Sequence, residues 1–224
     1  MMSAFKAVIF DLGGVLYPFR DYSKFQRITA RAAADPWIKE KLTGWQEGKY
    51  PVSEIQEFIV DAFGELPPNC TDLENINFDE VVGPKHEKIW AAIEQIKKHG
   101  LKVALLTNNG WWTPRKGRTV ICDDLSLFDV VVESCKEGIC KPHPKIFQTT
   151  LKRLGLEGPQ CLFVDDLPKN IEGARKLGIH GIQMIDQNQD LVVHKLEQAL
   201  QLPLRNIPPY SINQSTVSQP IARL

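Results

Sequence analysis

Five short apolar runs, each closed by a polar or turn-forming residue, constrain this chain more than any other feature. Lys6 to Phe10 ends at Asp11, with Gly13-Gly14 just beyond. Leu101 to Leu106 ends at Thr107-Asn108-Asn109-Gly110, and Phe128 to Val132 at Glu133-Ser134. Cys161 to Val164 ends at Asp165-Asp166, and Gly181 to Ile185 at Asp186. The runs are continuous rather than alternating, as expected of parallel strands buried on both faces. Helical spacing fills the intervals over His86–His99, Ile146–Leu154, Lys169–Leu177 and Leu191–Leu200, with Gly100, Gly155 and Gly178 as stops. Strand and helix in alternation predict an α/β fold with a doubly wound parallel sheet. Ligands of such sheets bind at the carboxyl ends of the strands, so the residues that close the runs are where chemistry belongs.

One stretch interrupts the alternation. Residues 18–84 separate the first strand from the first core helix and carry their own helical patterns at Tyr22–Ala34 and Ser53–Phe63. An insertion of that length is too long for a structureless loop. It predicts a small helical cap set over the carboxyl end of the first strand, placed to act as a lid. A plainer reading is that these helices only cover apolar sheet. The predicted core is then residues 4–17 and 85–203. Residues 204–224, with Pro208-Pro209 and many Ser, Asn and Gln, read as a loose tail.

Composition narrows the partners. The 224 residues carry 27 Lys and Arg against 27 Asp and Glu, a net charge of zero, and 43% are hydrophobic. Wholesale disorder is excluded. So is a general electrostatic grip on nucleic acid or an anionic membrane. No apolar run approaches the roughly 20 residues needed to insert across a bilayer, and the first residues lack the pattern of a secretory leader. The five cysteines are odd in number and never spaced CxxC, which reads as free thiols in a reducing compartment and not as a zinc site. A cytoplasmic protein is expected. Ala222-Arg223-Leu224 resembles the small–basic–Leu form of a peroxisomal address, which makes the peroxisome the other expectation. Oligomeric state leaves no trace in the sequence.

Asp11, Thr107-Asn108, Lys141 and Asp165-Asp166 each have a bland reading as turn, cap or solvated residues. Together they bring three carboxylates, one ammonium and two neutral donors to one edge of one sheet. Carboxylates crowded in that way repel unless a cation joins them. Asp11 with Asp165 or Asp166 forms a hard-oxygen set suited to Mg²⁺. Thr107, Lys141 and the turn amides of Leu12-Gly13-Gly14 would make an anion cradle beside it. A carboxylate aimed into a phosphate-sized cradle is a candidate nucleophile, giving an aspartyl-phosphate.

At these residues the sequence resembles the haloacid dehalogenase-like superfamily of phosphohydrolases. Its motifs stand in order as Phe10-Asp11-Leu12-Gly13-Gly14-Val15, Leu105-Leu106-Thr107-Asn108, Lys141-Pro142-His143-Pro144, and Phe163-Val164-Asp165-Asp166 extended by Asn170 and Gly173-Ala174. The likeness covers about residues 4 to 202. It is nearest to the amino-terminal phosphatase domains of soluble epoxide hydrolases and the related domain fused to some acyl-CoA dehydrogenases. The resemblance implies a Rossmann-like core with an inserted helical cap and a Mg²⁺-dependent phosphatase acting on a small phosphorylated metabolite. It implies Asp11 as nucleophile and metal ligand, the Gly13 carbonyl as a second ligand, Asp166 as the protein carboxylate on the metal, and Asp165 as holder of a metal-bound water. Thr107 and Asn108 would contact phosphate, and Lys141 would pair with Asp11 and phosphate.

The chain departs from that pattern at one place. Active members carry a second aspartate two residues after the nucleophile as proton donor, and here that position is Gly13. General acid–base help is typically worth about 10²–10⁴ in rate. Two functions of different class follow: a slow or specialised phosphatase, and a catalytically impaired protein that binds a phosphometabolite or a partner. Dehalogenation fits less well, because the Asp165-Asp166 pair calls for a metal that such chemistry does not use. Trp111-Trp112 read either as cleft lining or as packing at a core–cap seam. His143 reads as a solvated loop residue or a substitute proton carrier, and Cys135 and Cys140 as packing residues.

Overall fold

The computed structural model describes residues 4–19, 21–55, 78 and 82–205. All five apolar runs are strands of one parallel sheet: β1 (Ala7–Phe10), β2 (Lys102–Thr107), β3 (Val130–Glu133), β4 (Cys161–Asp165) and β5 (His180–Gln183). Their order is β3-β2-β1-β4-β5. The chain therefore runs outward from β1 on one side and returns to its other side at β4. This topological switch leaves a crevice beyond the carboxyl ends of β1 and β4. Register is even across the centre, with Phe10 opposite both Leu105 and Val164.

Side chains of β1 alternate between two cores. Val8 and Phe10 join Leu105 and Val164 under α3 (Glu87–Lys98) and α7 (Gln189–Leu200), through residues such as Ile93 and Leu196. Ala7 and Ile9 join Leu106 and Phe163 under α5 (Pro144–Leu154) and α6 (Pro168–Arg175), through Phe147 and Ala174. A short α4 (Ser134–Glu137) follows β3. The sheet is buried on both faces, which is why its strands read as unbroken apolar runs.

After β1 the chain enters α1 (Tyr22–Ala34), matching the expected boundaries, with the Asp21 side chain accepting from the Lys24 N–H. A second helix that sequence reading did not identify, α2 (Pro36–Gln46), packs against α1 and reaches α4. The expected helix from Ser53 is different where it is described. Val52–Glu54 is a single 3₁₀ turn capped at Pro51, and its Val52 N–H is bound to the Trp111 carbonyl. Pro51 cannot donate to a helix and instead bridges to Trp111. The rest of that prediction, from residue 56, lies outside the described residues.

Leu204, expected to open a loose tail, is buried, and its N–H donates to Glu197 Oε1 on α7. Ala222-Arg223-Leu224 lie outside the described residues. Among the described residues no helix is long and apolar enough to cross a membrane.

Candidate active site

The strand ends bring the acids together. Ligand oxygens of Asp11, Asp165 and Asp166 lie within 4.8 Å of one another. Asp11 directly follows β1, and its N–H donates to the Val164 carbonyl, so β4 holds it at the switch point. Lys141 reaches the same place from the loop before α5 and is 1% exposed. Its Nζ lies 2.8 Å from Asp11 Oδ1 and 2.8 Å from Asp165 Oδ2, and donates at 2.9 Å to the Leu106 carbonyl.

Each acid has a different set of partners. Asp165 accepts from Lys141, from Asn170 Nδ2 at 2.9 and 3.1 Å, and from the Leu167 N–H. Asp11 Oδ1 accepts from Lys141 and from the Leu12 N–H at 2.7 Å, and neither bond reaches Oδ2. Asp166 Oδ2 is buried with no hydrogen-bond partner. Three carboxyl groups around one ammonium leave two acids in excess in a largely buried site. Burial pushes Asp11 up to about 7, against the pull of Lys141 and with the push of Asp165. Burial, followed by the charges of Asp165 and Asp11, pushes Asp166 up to about 8. Burial alone would lower Lys141, but Asp11 and Asp165 beside it more than offset that and hold it above its ordinary value.

This arrangement fits a divalent cation. The donors are hard oxygens, two acids stand in excess of the one ammonium, and the Asp166 oxygen is buried without a partner. The backbone makes room for the Asp166 carboxyl at Gly14. That residue has φ +73°, and a Cβ there would stand 2.9 Å from Asp166 Cγ and Oδ2.

The expected anion cradle is only partly available. Thr107 is buried at the end of β2 and lines the cavity. The Leu12 N–H is committed to Asp11, and the Gly14 N–H donates to the Tyr17 carbonyl at 2.7 Å. The turn folds back on itself to satisfy its own polar groups, so these two amides are not open donors. The Asn108 side chain clamps the Lys141 backbone, accepting its N–H at 2.8 Å and donating to its carbonyl at 3.0 Å.

The site opens into a cavity of about 560 Å³. Asp11, Gly13, Thr107, Asn108 and Asp166 line one end. Residues of α1 and α2, including Ala32, Leu42, Trp45 and Gln46, line it as well, together with Phe78, Val120 and Lys169. Sequence reading did not pick out these helix residues or Lys169. The Phe19 ring packs beside Gly13, 3.3 Å from where a Cβ would stand, and the Phe19 N–H donates to Gln187 Oε1 at 2.8 Å.

Trp111 bridges Pro51 and Thr119, and Trp112 is fully buried, so this pair packs at a seam. His143 is exposed and caps α5, accepting from the Lys145 N–H. Cys135 is buried, and burial pushes its thiol up to about 12.

A model of the haloacid dehalogenase-like hydrolases matches residues 5–178. The chain is 34% identical over 216 residues to Acyl-CoA dehydrogenase family member 10 of Mus musculus, covering 90% of this chain and 20% of that protein. It is 31% identical over 245 residues to Bifunctional epoxide hydrolase 2 of Sus scrofa, covering 96% and 43%. It thus spans less than half of these two longer relatives. Against Phosphatase MT3486 of Mycobacterium tuberculosis it is 29% identical over 210 residues, covering 85% and 93%. A HAD-like family hydrolase from Porphyromonas gingivalis superposes with TM-score 0.55 at 23% identity, over 88% of this chain and 98% of that one. A HAD family enzyme from Bacteroides thetaiotaomicron, solved with magnesium and inorganic phosphate, gives 0.52 at 18%, over 80% and 93%. These two structures bear on the fold alone. With strand order, acid cluster and family model in agreement, the chain belongs to the haloacid dehalogenase-like hydrolases.

Proposed function

We propose that this chain is a Mg²⁺-dependent phosphohydrolase that acts on a small phosphorylated metabolite through Asp11. The observation that carries the reading is the state of Asp11. Its Oδ1 is held by Lys141 and the Leu12 N–H, neither of which reaches Oδ2, and the residue lines the cavity. Oδ2 is therefore the nucleophilic oxygen. It attacks phosphorus in line, the bond to the leaving oxygen breaks, and an aspartyl-phosphate forms that water then hydrolyses. Lys141 neutralises charge on the transferring oxygens, with Thr107 as a neighbouring donor. Asn108 acts by holding the Lys141 backbone in place.

Asp11, Asp166 and the Gly13 carbonyl would hold Mg²⁺, and Asp165 would orient a water on it. When bound, the ion supplies positive charge to the phosphoryl oxygens. The similarity to a protein named a phosphatase over 93% of that protein's length supports the reading. In this proposal α1 and α2 belong to the cap that sets substrate choice.

A second reading, binding without turnover, is favoured by one observation: an aromatic ring occupies the space beside Gly13 where a proton donor would project. A panel of phosphoesters and acyl phosphates, assayed with and without Mg²⁺ on wild type and Asp11→Asn, decides between them. Phosphate release that needs both Mg²⁺ and Asp11 establishes the phosphatase. Its absence across the panel leaves the binding protein.

A further inference from the structure

The cavity has two ends, and α2 measures the distance between them. Lys39, Leu42, Thr43 and Gln46 all line it, at the i, i+3, i+4, i+7 spacing of one helix face. Gln46 marks the catalytic end, since its Oε1 accepts from Asn108 Nδ2, the group that also holds Lys141. Lys39 lies seven residues earlier, about 10 Å along the helix at 1.5 Å per residue. The wall between them includes Leu42 from α2 with Ala32 and Ala33 from α1.

Two lysines line the cavity, Lys169 next to Asn170 at the catalytic end and Lys39 on α2. The acidic side chains lining the cavity, among the described residues, are Asp11 and Asp166, both at the catalytic end. Lys39 is exposed at the other end and forms no salt bridge with any described residue. Its neighbour Glu40 accepts from the Tyr50 hydroxyl at 2.6 Å. An uncompensated ammonium beyond an apolar stretch is a receptor for an anion.

We infer that Lys39 forms a second anion-binding position, and that the substrate is an elongated phosphate monoester whose second acidic group is set off from the phosphoryl group by an apolar linker of a length comparable to the roughly 10 Å between Gln46 and Lys39. This rests on the phosphohydrolase reading above for the word substrate, but the binding position stands on the cavity itself.

The test uses phosphonates, which bind without being hydrolysed. Alkyl phosphonates of graded chain length, ending in methyl, carboxylate or a second phosphonate, are titrated calorimetrically into the full chain with Mg²⁺. At the length that spans the cavity, an acid-ended ligand binds up to about fivefold tighter than its methyl-ended partner, the scale of one exposed ion pair. Shorter ligands lose that preference. Lys39→Gln removes it while leaving methyl-ended affinity unchanged, and Lys39→Arg keeps it. The carboxylate and phosphonate arms show which acid is preferred. Equal affinities of acid-ended and methyl-ended ligands overturn the inference. So does a Lys39→Gln effect of equal size on both, which would assign the lysine to the phosphoryl end. If phosphoesters are not turned over in an Asp11-dependent way, the phosphohydrolase reading fails, and the binding result still decides the role of Lys39.

Discussion

Lys141 Nζ stands 2.8 Å from Asp11 Oδ1 on a side chain with no exposed surface, so the ion pair at the centre of the site is a buried one. The same ammonium serves Asp165. Removing one partner of a buried pair typically costs about 3–5 kcal/mol, because the charge left behind has no solvent. Lys141→Met should therefore lower stability in urea by that amount at neutral pH, as well as abolish turnover. A loss below about 1 kcal/mol, the scale of a surface pair, would mean that the ammonium is not holding these acids in the folded protein.

Gly13 and Phe19 make a linked pair. Gly13 is not in the left-handed region, so its backbone accepts a side chain, but the Phe19 ring lies 3.3 Å from the Cβ position. Gly13→Asp alone should raise the rate on alkyl phosphates only slightly. Combined with Phe19→Leu, it should raise it by something approaching 10²–10⁴, the usual worth of a general acid. The gain should be much smaller on acyl phosphates, whose leaving group departs without a proton. Equal gains on both substrate types would show that proton donation is not what wild type lacks.

Much of this architecture is legible in the residues because both levels use the same signal. Buried parallel strands need unbroken apolar runs, and their carboxyl ends need polar residues, so Asp11, Asp165 and Asp166 could be placed at one sheet edge from pattern alone. α2 was harder. Its apolar pattern is interrupted by an exposed Trp37 and by Gly44. A usable signal was present all the same, in Asp35 as cap and Pro36 at the first helical position. Other relationships are tertiary and leave no local mark. The Asn108 clamp on Lys141 spans 33 residues, and the Gln187 bond to Phe19 spans 168. The Leu12 amide departs from the expected cradle for the opposite reason: it bonds the side chain of the residue just before it.

The acid cluster predicts opposite responses to one substitution. Asp166 is pushed up to about 8 by burial and then by its two acidic neighbours. Asp166→Asn should therefore make the metal-free protein more stable at pH 8.5, by removing a buried like charge. The same change should abolish stabilisation by Mg²⁺, which in wild type should reach about 2.7 kcal/mol at a hundredfold excess over Kd and vanish with chelator. Gly14→Ala should also lose the Mg²⁺ response, because its Cβ collides with the Asp166 carboxyl. Thermal melts with and without Mg²⁺ read out both. A wild-type melt indifferent to Mg²⁺ at all concentrations would remove the metal from this site.

His86 supplies a second pH dependence, of opposite sign to that of the acids. It is buried at the start of α3, and its Nδ1 lies 2.8 Å from the Val15 carbonyl, so that nitrogen carries the proton of a neutral ring. Burial pushes its pKa below the ordinary 6.5, against the smaller opposing effect of the Val15 bond. The unfolded chain then takes up a proton at a pH where the folded chain does not. Stability from this residue is complete above pH 6.5 and declines as pH falls from there toward the folded value, at a slope of up to about 1.4 kcal/mol per pH unit. Asp11 and Asp166 act with the opposite sign, since their folded values are raised and their contribution is lost as pH rises. Comparing wild type with His86→Gln removes that background. Between pH 7 and 5 the wild type should lose more stability in urea than the variant, although the variant starts lower. Parallel curves would show that His86 is free to take up its proton in the folded protein.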